Sequence, residues 1–97
     1  MQITEDIMKK IALDTGVTDV DGLTRAALLS FLKERRMKIK LDILEILDRY
    51  GVESASALRS GMQSGVMPEH PAWEDIITLE NLESVLASVD DDIKDLQ

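Results

Sequence analysis

The sequence predicts an all-α fold of four helices behind a short N-terminal β-strand. Three observations carry this. Apolar residues recur at helical spacing through most of the chain. Capping residues punctuate those stretches: Thr4, Gly16, Gly51 and Ser54. Only the opening tetrapeptide, Met1-Gln2-Ile3-Thr4, alternates with period two.

Thr4 also suits the N-cap of the first helix, with Glu5 and Asp6 favourable at the positive end of its dipole. That helix spans Glu5 to Thr15, with Ile7, Met8, Ile11 and Ala12 on its apolar face and Gly16 as C-cap. Asp21 is the expected N-cap of the second helix, and Thr18 is the other candidate. Leu23, Ala27, Leu28, Phe31 and Leu32 start a stripe that continues through Ile39, Ile43, Ile46 and Tyr50. No Pro or Gly interrupts residues 23–50, which fits one helix of about 45 Å, with continuity through Arg35-Arg36 left open. Gly51 ends it. Ser54 opens a short helix to about Ser64, 65–68 is a loop, and Pro71 after His70 takes the first helical position of the last helix. There Leu79, Leu82, Leu86, Val89, Ile93 and Leu96 step by three and four, a heptad seam for the Ile39–Tyr50 half of helix two or for a second subunit.

Charge divides the chain. Residues 1–50 hold nine Lys/Arg and nine Asp/Glu, whereas residues 51–97 hold two and ten, which accounts for the net charge of −8. Two surfaces with different partners, or a solvated acidic face, both fit this asymmetry. There is no cysteine, so disulfides and thiolate metal sites are excluded. The longest uncharged run, Ser60 to Pro68, is not membrane-like, and no apolar core follows a basic start, so the expectation is a cytoplasmic protein without a signal peptide. Three aromatics, Phe31, Tyr50 and Trp73, are few for a chain of 97 residues, which predicts burial gained by oligomerising.

Residues 1–32 resemble the ribbon-helix-helix domain of bacterial and archaeal antitoxins and repressors. The carriers are Ile3, Ile7 and Ile11, the turn Thr15-Gly16-Val17, and Leu23-Thr24-Arg25-Ala26-Ala27-Leu28 with Phe31-Leu32. Tyr50-Gly51-Val52 and Pro68-Glu69-His70-Pro71-Ala72-Trp73-Glu74-Asp75 resemble the C-terminal region of small archaeal proteins of unassigned function. The first resemblance implies a homodimer whose paired N-terminal strands enter the major groove of operator DNA. It implies DNA contacts from Gln2, Thr4 and Thr18, and dimerisation through Ile3, Ile7, Ile11, Leu23, Ala27, Leu28 and Phe31. Asp19 and Asp21 stand where a phosphate approaches such a fold. The implied organisation is a ribbon-helix-helix-like region at 1–49 and an acidic helical region at 50–97. The latter would engage a partner, a basic toxin protein on this resemblance, through Trp73, Ile76 and Ile77. The alternative is a helical interaction or dimerisation module without a DNA role.

Other residues weigh against catalysis. His70 has acidic neighbours but no second histidine or cysteine, so helix-start packing is expected rather than zinc binding. Asp90-Asp91-Asp92 point apart on a helix and read as a solvated end. The basic block Lys33–Lys40 reads either as phosphate contacts or as solvated surface with pairs such as Glu34–Lys38. Trp73 reads either as a partner anchor or as core. No enzyme activity, metal or cofactor is expected.

Overall fold

The computed structural model describes residues 2–66 and 68–97. Its helices are α1 (Glu5–Thr15), α2 (Val20–Tyr50), α3 (Ala55–Gln63) and α4 (Glu69–Leu96). No strand occurs among the described residues, which overturns the expected N-terminal strand and the ribbon-helix-helix arrangement built on it. Met1 lies outside the described residues. Thr4 is extended, at φ −99° and ψ 161°, because it is the N-cap of α1: its hydroxyl accepts from Ile7 N–H at 3.2 Å. One extended cap residue beside an apolar neighbour mimics a period-two signal.

Local chemistry sets the other helix ends. Gly16 (φ 75°) and Gly51 (φ 64°) close α1 and α2 in the left-handed region, where a side chain is strained. The N-cap of α2 is Asp19, two residues ahead of the expected Asp21; its carboxylate accepts from Gly22 N–H at 2.7 Å. Ser54 caps α3. In α4, His70 has non-helical backbone angles, so regular turns begin at Pro71.

α2 runs unbroken through Arg35-Arg36, 31 residues in all. Its C-terminal half packs antiparallel to α4: Arg36 meets Asp90, Ile39 packs with Val89 and Ile93, and Arg49 meets Asp75. The heptad seam of α4 therefore closes inside its own chain. α3 fills the end of this pair, and Ile46, Leu47, Ala55, Leu58, Met62, Ala72, Ile76 and Leu79 form one buried cluster. Ile39, Val89 and Ile93 form a second one, flanked by Leu29 and Leu32. We call this packed part, α3 and α4 with α2 from Ile39 onward, the body, and residues 2–38, whose last turns still reach α4 through Leu29, Leu32 and Arg36, the hairpin end.

The rest of the chain projects. α1 and the first turns of α2 form a helical hairpin that packs on neither α3 nor α4. The molecule measures 61 × 27 × 17 Å, with a radius of gyration of 19.7 Å. A compact domain of this length has a radius of about 12.5 Å, so the hairpin extends the fold instead of adding to its core.

Candidate interaction surface

The hairpin has almost no core of its own. Within residues 2–38 the one fully buried hydrophobic is Ala12, at 4 % exposure. Ile3 (73 %), Ile11 (43 %), Leu13 (81 %), Leu28 (46 %) and Phe31 (63 %) are open to solvent. An isolated 11-residue helix is marginal in water. α1 therefore draws its stability from the face that it shares with α2, and that face is only partly covered.

The cover is incomplete at a defined place. Ile3 and Met8 from the α1 side, with Leu23, Thr24, Ala27 and Leu28 of α2, line an apolar groove of about 240 Å³. Phe31 lies one turn beyond Ala27, beside Glu34, Arg35 and Lys38 in a second open cleft. A broader cleft of about 570 Å³ runs along Lys9, Ala12, Leu13, Val17 and Asp19 near the hairpin turn.

The dimerisation residues expected from sequence divide accordingly. Ile3, Leu23, Ala27 and Leu28 meet at the groove. Ile11 and Phe31 are exposed nearby, and Ile7 is half-buried. The structure thus gathers most of this set on one apolar surface, but by helix packing and not around a strand. Of the expected DNA contacts, Gln2 and Thr18 are exposed, and the Thr4 hydroxyl is occupied in capping α1. With no strand at residues 2–4, the geometric basis for seating Gln2 and Thr4 in a groove of DNA is gone.

The expected partner-binding set splits. Ile76 is wholly buried in the body and offers nothing to a partner. Trp73 and Ile77, one turn apart on α4, are both 47 % exposed. The Arg59 guanidinium sits 5.6 Å above the Trp73 ring and bonds the Glu80 carboxylate, so this indole is held partly by its own chain. A further stripe escapes a reading based on one apolar face. Met37, Leu41 and Leu44, at i, i+4 and i+7, are exposed along α2, and Leu44 lines a cleft with Glu83 and Leu86 of α4. Their spacing was the available signal.

The polar contacts are structural. Tyr50 donates its phenolic hydroxyl to Asp75, which also faces Arg49 at 3.8 Å. That hydrogen bond, with burial and the carboxylate charge, raises the Tyr50 pKa against the smaller opposing effect of Arg49. Arg36 donates to Asp90 at 2.6 Å and ties the middle of α2 to α4. Among the described residues, Arg36 alone of the basic block is so engaged, while Lys33, Arg35 and Lys38 are exposed and Glu34 does not pair with Lys38. His70 Nδ1 lies 3.9 Å from Glu74, both exposed, and among the described residues no group of three His, Asp or Glu converges as metal ligands do. Among the described residues no helix is long and apolar enough to cross a membrane.

The chain belongs to the Uncharacterized protein MJ0235 family, whose model matches residues 1–97. No curated protein and no solved structure matched the chain.

Proposed function

We propose that this protein is a helical protein-interaction module, in which the body is a stable acidic support and the α1–α2 hairpin is the docking end. The observation that carries the reading is the contrast in burial. Residues 39–93 contribute Ile39, Leu58, Ile76, Leu79 and Val89 to closed cores, whereas residues 2–38 bury Ala12 alone and leave Ile3, Leu28 and Phe31 in water. Contiguous exposed apolar side chains rimmed by charge mark a surface that another macromolecule covers. The reading assigns binding and no reaction. It is the DNA-independent alternative of the sequence analysis, and it stands without a strand.

A photoreactive amino acid placed at Leu28 tests it in cells. The expected result is a specific protein adduct from position 28 and none from a control at Ser56, which is exposed on α3 at the end of the body away from the hairpin. Equal labelling from both positions, or from neither, contradicts the proposal.

A further inference from the structure

The docking end is self-complementary. We infer that its occupant is a second copy of this chain, packed antiparallel so that Phe31 of each copy fills the groove of the other. This rests on the module reading above and names its partner.

The geometry is symmetric about Ala27. Leu23 lies four residues before Ala27 and Phe31 four residues after it, on one i, i+4 ridge of α2. Ridges of this kind interdigitate when two helices cross, and a small residue at the crossing point lets the backbones approach. Ala27 is exposed and supplies that point. Crossing there in antiparallel sense brings Phe31 of one copy to Leu23 of the other, into a groove walled by Ile3, Met8 and Leu28. The same contact forms twice, as an isologous interface requires. An aromatic knob in an apolar pocket is the usual centre of such an interface. Two hairpins joined in this way make a four-helix arrangement and give α1 the covering that its own chain withholds.

Charge favours this occupant over other contacts between copies. Residues 2–38 hold seven basic and six acidic groups, and residues 39–97 hold four and thirteen. Body against body is repulsive, whereas hairpin against hairpin is close to neutral and leaves the bodies at opposite ends of the pair. The hairpin is also polarised along its length. At the turn, Asp14 pairs with Lys10 and Asp21 lies 3.7 Å from Arg25, whereas Asp19, exposed like both of them, has no ion-pair partner among the described residues. At the base, Lys33, Arg35 and Lys38 outnumber Glu34 and Asp6, while Glu5 is taken by Lys9. Seating Phe31 at Leu23 of the other copy carries Arg35, one turn beyond Phe31, towards Asp19 of the other copy, one turn before Leu23.

Sedimentation equilibrium of the full chain tests the inference, with helicity by circular dichroism as the folding control. The expected result is a reversible dimer that Phe31→Ala weakens about tenfold or more. Asp19→Ser keeps a capping hydroxyl and removes the charge, and Arg35→Ala removes its counterpart. Each is expected to weaken the dimer about threefold, and the double variant no more than either alone. A chain that stays monomeric at high concentration overturns the inference. So does a dimer indifferent to Phe31→Ala, or one in which the two charge variants act additively. A monomer that still gives a heterologous adduct from position 28 removes self-docking and leaves the module. A monomer with no adduct removes both.

Discussion

The body and the hairpin are built from the same long helix and obey different rules. Along α2, residues from Leu29 onward find a partner in α4 every three or four positions, and the seam is closed by Leu82, Leu86, Val89 and Ile93. Before Leu29, among the described residues, the same helix meets α1 and the segment leading into it, whose apolar face is too short to cover it. One end of a continuous helix is therefore an interior and the other a surface. A stripe of leucines does not state which of these it is; the length of the element packed against it does.

The largest expected effect lies in the body. Leu58 is wholly buried between α2 and α4, so Leu58→Ala removes packing that the neighbours cannot restore. We expect a loss of about 3 kcal/mol in urea unfolding, a large part of the stability of a small domain. A loss as small as that of an exposed site would mean that the body is not the closed core described here.

Next comes the Tyr50–Asp75 contact. Tyr50→Phe deletes a hydrogen bond to a carboxylate at the edge of the core and is expected to cost about 1 kcal/mol. Its pH dependence has a definite sign. The folded-state pKa of Tyr50 is raised above its ordinary value of 10.0, so the folded chain retains a proton that the unfolded chain loses. The contribution is full below pH 10.0 and is lost as pH rises through the higher folded value. Unfolding of both chains followed from neutral into alkaline pH checks this; the advantage of the native tyrosine should shrink there, and one that grows would refute the assignment.

The smallest effect is expected in the hairpin. In dilute solution Phe31→Ala should change unfolding by less than about 0.5 kcal/mol, because the ring is 63 % exposed and touches no closed core. A loss approaching that of Leu58→Ala would place Phe31 inside the folded chain and erase the distinction between the two regions.

Much of the body was legible in the sequence. Gly16, Gly51 and Ser54 mark helix ends by local hydrogen bonding and backbone freedom, and these act irrespective of tertiary structure. The seam from Leu79 to Leu96 also shows, since its period needs no partner to be seen. Carried back three residues it includes Ile76, which assigns that side chain to the core and not to the partner surface. The N-terminal tetrapeptide was misread because extended backbone at an N-cap and in a strand look alike over so few residues. Asp19 and Asp21 both suit a cap, and only the position of Gly22 N–H decides between them. The apolar groove was partly legible: Ile3, Leu23, Ala27 and Leu28 are grouped by their apolar character. That α1 leaves them uncovered depends on where α4 ends along α2, a long-range fact that no local pattern carries.

Hydrogen exchange of the backbone amides, followed from dilute to concentrated protein, tests the contrast most directly. The account predicts that amides of α3, α4 and the second half of α2 exchange slowly at every concentration. It predicts that those of α1 and the first turns of α2 exchange quickly when dilute and slow markedly as a second copy covers them. Hairpin amides as protected as those around Leu58 in the most dilute sample would contradict it.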